Sequence, residues 1–202
     1  MPLIELVTID LVLWKGRDLA AKLRDRLTGA PDGHALACWL TDLGVQQRLY
    51  LLREWQDAAA MLAERSALFR SSDPFGAGDC IASLAFGTWE RFDFMPPAPP
   101  LSRDDVYELR FYDLHVTGLA PSLAAWRAAI DARHAISPIA CAMSSLDGPS
   151  RLLHVIAYEN LDVRTRLRRQ LYADGLWPPR GAPEQIRHAF AETATLAFAQ
   201  GD

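Results

Sequence analysis

Two kinds of hydrophobic pattern alternate along the chain, and they occur in the same order in each half. Leu3–Leu13 and Val106–Val116 are rich in β-branched and aromatic residues, which predicts that each half begins with a strand. The segments that follow, 18–27 and 122–133, have helical spacing. In the second of these helices an apolar stripe is formed by Leu123, Trp126, Ala129 and Ile130.

Each half continues with a hairpin, a second helix and a last strand. Residues typical of turns separate the two hairpin strands, and the helix-capping residues Asp57 and Asn160 begin the second helices. The predicted segments are 36–43, 48–55, 57–69 and 88–94 in the first half, and 139–146, 151–158, 160–172 and 193–199 in the second. The order βαββαβ predicts a ferredoxin-like unit, with both helices on one face of a four-stranded antiparallel sheet.

The two halves are an internal repeat. With an offset of 103 residues, 13 of the 64 positions from 5 to 68 are identical, including Ala37-Cys38 with Ala140-Cys141, where roughly 5 identities are expected by chance. Met95–Pro100 contains four prolines and therefore predicts a stiff linker. We expect a first repeat at 1–95, a linker at 96–104 and a second repeat at 105–202. The predicted fold class is α+β, with two tandem ferredoxin-like repeats packed sheet to sheet, because each sheet has a second face to cover.

Composition narrows the function classes. The chain has 25 acidic and 21 basic residues and a net charge of -4, which argues against binding to nucleic acid or to an anionic membrane. No apolar run has the length of a bilayer-spanning helix and no secretory leader is recognisable, so we expect a cytoplasmic protein. The three cysteines, Cys38, Cys80 and Cys141, are expected to be reduced packing residues, with Cys38 and Cys141 facing the helices.

Strand alternation suggests where the chemistry lies. If Leu109, Phe111, Leu153 and Val155 face the helices, the opposite face, enclosed between the two sheets, carries Glu108, Arg110, Tyr112, His154 and Tyr158. His154, Arg110 and Tyr112 are the candidate catalytic residues. The candidate substrate-binding residues are Glu108, Tyr158, Ser144, Trp39, Arg53 and Trp55. A purely structural ion pair between Glu108 and Arg110 is an equally simple interpretation. The other histidines, His34, His115, His134 and His188, have no metal-binding spacing, so no metal site is expected.

The second half resembles the NIPSNAP family. The resemblance lies in the strand Val106–Leu114, the Trp126 helix with Arg133-His134, the strand Arg151–Leu161 and the region of Trp177, over about residues 105–200. The first half departs from it, with Val7 and Leu51 where the second half has Arg110 and His154, so it resembles a degenerate repeat. The resemblance implies an intramolecular version of the dimeric α/β barrel. That superfamily includes cofactor-free monooxygenases acting on aromatic polyketides, isomerases, cyclases, aldoxime dehydratases and haem peroxidases, so it does not fix the chemistry.

Three functional hypotheses follow. The leading one is an enzyme of secondary or catabolic metabolism that binds a small organic molecule in the barrel interior and needs no metal or other cofactor. In it, His154 acts as acid and base, Arg110 holds an anionic or carbonyl oxygen, and Tyr112 and Tyr158 donate hydrogen bonds. The second is a binding or interaction protein whose barrel is filled by side chains. The third is a haem protein with His154 or another histidine as axial ligand. Self-association through edge strands or helix faces is left open.

Overall fold

The computed structural model describes residues 2–201. Each half of the chain contains the predicted order of helices and strands, βαββαβ. The first half contains β1 (Leu3–Leu11), α1 (Gly16–Leu27), β2 (His34–Leu43), β3 (Arg48–Trp55), α2 (Ala58–Arg70) and β4 (Ile81–Arg91). The second contains β5 (Val106–Leu114), α3 (Leu119–Ile136), β6 (Ile139–Ser145), β7 (Arg151–Tyr158), α4 (Leu161–Ala173) and β8 (Ile186–Ala199). The predicted fold class is confirmed: the protein is α+β, with two βαββαβ-like halves whose eight strands hydrogen-bond in one antiparallel ring, β1-β3-β2-β8-β5-β7-β6-β4.

Local sequence explains the helix starts. The carboxylate of Asp57 accepts a hydrogen bond from the Ala59 amide at 2.8 Å, and the side-chain oxygen of Asn160 accepts one from the Val163 amide at 2.9 Å. Both residues therefore act as the caps that the sequence predicts for α2 and α4. Residues 92–105, which include the proline-rich segment, contain no helix or strand. No helix within residues 2–201 has the length and apolar character needed to cross a bilayer.

The chain divides into two compact units. Unit one contains the chain up to Trp89 and from Ala194 onward, and unit two contains Glu90–Thr193. In unit one, β1 pairs with β3 and β4, and β2 pairs with β3, all antiparallel. Leu19, Leu23 and Leu27 of α1 pack with Val7, Ile9 and Leu51 of the sheet. This face of the sheet and one face of the helix layer form the core of the unit.

Unit two repeats the arrangement with different side chains. Here β5 and β6 both pair with β7, antiparallel. The helix stripe that faces the sheet consists of Ser122, Trp126, Ile130 and Arg133, all buried on α3. Trp126 and Ile130 pack with Ile156 and Tyr158 of β7. Where α1 presents three leucines, α3 therefore presents a serine, an indole, an isoleucine and a guanidinium.

The offset of 103 residues holds for most elements but not for β2 and β6. Cys38 pairs with Leu51, whereas His154, at the position equivalent to Leu51, pairs with Ala142 rather than Cys141. The structural equivalent of Cys38 is therefore Ala142, and Cys141 lies on the opposite face. The expectation that Cys141 faces the helices is wrong, because α3 and the turn that follows it shift the register by one residue.

Candidate functional site

The predicted polar residues of the second half do lie together, but on the other face of the sheet. Tyr158 packs in a core cluster with Trp126 and Leu171, which belong to α3 and α4, and the His154 ring lies 5.0 Å from that of Trp126. Glu108, Arg110, Tyr112, His154 and Tyr158 therefore face the helices. The prediction that they face away is wrong because Leu109, Phe111, Leu153 and Val155, on the other face, are also buried. Hydrophobicity alone cannot tell two buried faces apart.

The remaining predicted site residues lie elsewhere. Ser144 is buried in unit two at the end of β6, on the helix-covered face, opposite Leu152. Arg53 and Trp55 lie in unit one and face its helix layer, contrary to prediction. Cys38 faces the helices of unit one, and Trp39, the next residue along the strand, lies on the other face of the sheet. Trp39 is therefore not grouped with Arg53 and Trp55. The structure thus brings together five of the nine candidates, with Ser144 at the margin.

Glu108 is the only carboxylate in the centre of this group. It is fully buried, and one of its oxygens accepts hydrogen bonds from Arg164 and from Arg168, the latter at 3.2 Å. The Nε atom of Arg110 is 3.6 Å from the same oxygen, so the predicted ion pair exists but is longer than a hydrogen bond. The second oxygen of Glu108 has no hydrogen-bond partner. Three guanidinium groups thus converge on one carboxylate.

His154 lies beside this cluster, at the centre of an aromatic cage. Its ring is 5.0 Å from Trp126, 5.5 Å from Tyr112 and 6.2 Å from Trp177, measured between centroids. It is fully buried, and neither ring nitrogen has a hydrogen-bond partner. Burial, reinforced by the charges of Arg110, Arg133 and Arg168, lowers the pKa of His154 well below its usual value. The imidazole is therefore neutral near pH 7 and can accept a proton.

Arg133 closes the group from α3. Its guanidinium lies 5.4 Å from the centre of the Trp177 ring, and the residue is only 2% exposed. Tyr158 is a hydrogen-bond partner, but Nε and Nη1 have none. Burial lowers the pKa of Arg133 to about 10, so it still carries its charge. Our sequence argument missed this residue as a site candidate. The signal was present, because Trp126, Ile130 and Arg133 follow one another at helical spacing and put a cation on the buried stripe.

A surface recess adjoins the buried cluster. It has a volume of about 350 Å³ and is lined by Arg164, Thr165, Arg168, Arg169 and Tyr172 of α4. Since Arg164 and Arg168 also bind Glu108, the recess and the buried group share two side chains. Tyr172 is half exposed at the edge of the recess. Arg164 and Arg168 thus connect the buried carboxylate of Glu108 to the surface.

Unit one contains the equivalent cluster in a saturated form. Glu5, equivalent to Glu108, accepts hydrogen bonds from Arg53 at 3.1 Å, Arg65 at 2.6 Å and the indole of Trp55 at 3.1 Å. Arg53 also donates to Glu64 at 3.0 Å and to the carbonyl of Gly33 at 2.7 Å. Two carboxylates thus balance two guanidiniums. In unit two, three guanidiniums converge on one carboxylate and a fourth, that of Arg133, is buried without one. That excess of positive charge distinguishes the second cluster.

Comparison with known proteins agrees with the assignment of the second half. The model of the NIPSNAP family matches residues 107–196. This half is a NIPSNAP domain. The match covers nearly all of β5 to β8 and includes every residue of the buried cluster. No curated protein matches the chain in sequence.

Solved structures resemble the whole chain. A proposed monooxygenase from Lactobacillus acidophilus NCFM matches with a TM-score of 0.69 and 12% identity, over 98% of this chain and 95% of that one. An anthrone oxidase-like protein matches with a TM-score of 0.69 and 9% identity, over 100% and 94%. A chlorite dismutase from Candidatus Nitrospira defluvii matches with a TM-score of 0.57 and 12% identity, over 96% and 91%. At such identities the resemblance establishes the fold.

The superfamily raises the question of haem, and the NIPSNAP domain does not fit one at His154. An axial histidine must direct a ring nitrogen into a space wide enough for a porphyrin. Here Trp126, Tyr112 and Trp177 surround the imidazole within 6.2 Å, and the residue has no exposed surface. Within residues 2–201, no group of three or more His, Cys, Asp or Glu side chains is placed to hold a metal ion.

Proposed function

We propose that the NIPSNAP domain is the active site of a small-molecule enzyme that begins by removing a proton from its substrate. The observation that carries the proposal is His154, a buried neutral imidazole with both nitrogens unpartnered. Such a group accepts a proton readily only if the resulting charge is balanced. The deprotonated substrate, held against Arg110, would supply that balance.

The other side chains of the cluster have supporting roles. Burial raises the pKa of Tyr112 and of Tyr158, so both keep their protons and can donate hydrogen bonds to a developing oxyanion. Glu108 binds Arg164 and Arg168 on α4 and so fixes the cationic wall. Positioned donors of this kind stabilise an anion more strongly than water does, because they need not reorient.

We further propose that the substrate is an acidic aromatic compound and that dioxygen is the oxidant. The monooxygenase and anthrone oxidase-like structures match the whole chain with TM-scores of 0.69, above the 0.57 of the chlorite dismutase, and this supports the proposed class. The aromatic rings of Trp126, Trp177 and Tyr112 suit a planar substrate. For a methylene substrate, the carbanion would react with dioxygen, one oxygen atom becoming the new carbonyl and the other leaving as water with the two hydrogens.

The test is oxygen consumption by the purified protein with anthrone as the probe substrate. Turnover should fall by at least about a hundredfold in His154→Ala, in keeping with the loss of a general base, while the matched substitution Leu51→Ala in unit one should retain it. Turnover in His154→Ala equal to that of the unchanged protein would refute the role of His154. Absence of oxygen uptake with anthrone and related phenols would refute the oxygenase assignment.

The full burial of His154 favours a second candidate, a protein with a filled interior that binds partners without catalysis. This candidate predicts that no small aromatic molecule shifts the unfolding temperature or the tryptophan fluorescence of the protein. Since Trp126 and Trp177 lie in the cluster, ligand binding there should change the fluorescence, and a titration separates the two candidates.

A further inference from the structure

The guanidinium of Arg133 is the least compensated charge in unit two. Arg110 is 3.6 Å from Glu108, and Arg164 and Arg168 both donate hydrogen bonds to it. Arg133 has no carboxylate within ion-pair distance among the described residues, although it is 2% exposed. A buried cation without an anion is costly, and proteins rarely keep one without a use for it. Its position therefore calls for an anion supplied from outside the chain.

The surroundings of Arg133 define the kind of anion. Trp177 lies against the guanidinium, and Trp126 meets Trp177 edge to face with centroids 4.7 Å apart. These neighbours are aromatic and largely apolar, so they favour contact with a planar organic body over a small hydrated ion. Two guanidinium nitrogens, Nε and Nη1, are free to donate. The N–H groups of Nε and Nη1 point to different sides of the guanidinium, so a carboxylate accepts from one of them, and its single negative charge balances that of Arg133.

The first half supplies an internal control for this argument. On α1 the positions equivalent to Ser122, Trp126 and Ile130 are three leucines, each at most 3% exposed. An apolar stripe is therefore sufficient for packing a helix on this type of sheet. Arg133 does not serve packing that the fold requires, since α1 ends at Leu27 and has no counterpart to it.

We propose that the ligand of the NIPSNAP domain is a planar organic carboxylate whose carboxylate group pairs with Arg133. This proposal rests on the site of the proposed function and names its ligand class. The carboxylate accepts a hydrogen bond from an unpartnered nitrogen of Arg133, and the rest of the molecule extends toward His154. A ligand oriented in this way presents its body, not its charge, to the imidazole.

The test compares benzoate with benzamide, which has the same shape and no charge. Binding is measured by tryptophan fluorescence and by the shift in unfolding temperature. Benzoate should bind at least about tenfold more tightly than benzamide, and Arg133→Gln should remove that difference. Arg166→Gln is the matched control, because Arg166 is exposed on α4 and does not line the recess. If Arg133→Gln does not fold, Arg133→Met is measured by the same criterion.

The outcomes separate this inference from the proposed enzyme. Equal affinity for benzoate and benzamide, or an unchanged preference in Arg133→Gln, would overturn the carboxylate site. Inorganic phosphate that competes as strongly as benzoate would also overturn it, because a general anion site would then be present. Retention of benzoate binding in His154→Ala is expected. If benzoate binds through Arg133 but no substrate is turned over, the carboxylate site stands and the proposed enzymatic function fails.

Discussion

Replacing Arg133 with methionine should stabilise the protein. The substitution keeps the length of the side chain and removes two buried donors, Nε and Nη1, that have no partner. Each such donor costs about 1–3 kcal/mol, and the hydrogen bond to Tyr158 that is lost contributes about 1 kcal/mol. The free energy of unfolding should therefore rise by about 2 kcal/mol. For a chain of this size, that corresponds to an increase in Tm of roughly 4–8 °C.

The same substitution in unit one should have the opposite effect. Arg53 is 1% exposed, but it donates to Glu5, Glu64 and the Gly33 carbonyl. Arg53→Met removes one of the two arginines bound to buried Glu5, and breaking a buried ion pair from one side costs about 3–5 kcal/mol.

Urea unfolding followed by far-UV circular dichroism measures both variants without relying on the tryptophans near Arg133. The midpoint should rise in Arg133→Met and fall in Arg53→Met, at similar slopes. If Arg133→Met lost as much stability as Arg53→Met, our view of Arg133 as an uncompensated charge would be refuted.

Three further results are expected. Because burial keeps His154 neutral while the unfolded chain has an ordinary histidine pKa near 6.5, its contribution to stability is complete above that pH. It is lost as the pH falls, by up to about 1.4 kcal/mol per pH unit. The urea midpoints measured at pH 7.5 and at pH 5.5 should therefore differ less in His154→Leu than in the unchanged protein. Cys38 and Cys80 are buried and burial raises their thiol pKa, so a thiol-reactive disulfide should label these two cysteines only on unfolding. Their rapid labelling in the native protein would contradict this. Haemin added to the protein should give no Soret band of a histidine-ligated haem; a band abolished by His154→Leu would show that the cage opens.

The sequence was sufficient for the order of elements, because each half combines capping residues, turns and period changes that agree with one another. Some boundaries were not predictable. β4 begins at Ile81, seven residues before the predicted strand at 88–94, since Ala82-Ser83 and Gly87 have low strand propensity. Hydrogen-bonded pairing with β1 along Ile81–Trp89 stabilises the strand conformation that the local sequence does not favour.

The site was predictable in its members but not in its orientation. Alternation correctly grouped Glu108, Arg110, Tyr112 and His154, because residues two apart share a face of a strand. It could not show which face the helices cover, since both faces of β5 are buried. The partners from the helices, Arg133, Arg164 and Arg168, were missed for a related reason. Arginines on a helix usually point to solvent. Only the packing of the helices on the sheet shows that these three side chains are directed toward the buried cluster.

The saturated cluster of unit one has a practical meaning for unit two. At the positions of Arg110, His154 and Arg164, the first half carries Val7, Leu51 and Met61, and all three are buried there without loss of the fold. Glu5 keeps two arginine partners in that setting, Arg53 and Arg65, whereas Glu108 would lose two of its three with valine at 110 and methionine at 164. Leucine at 154 removes no partner of Glu108, so His154→Leu is a folded reference that lacks the imidazole, against which any activity of the native chain can be measured.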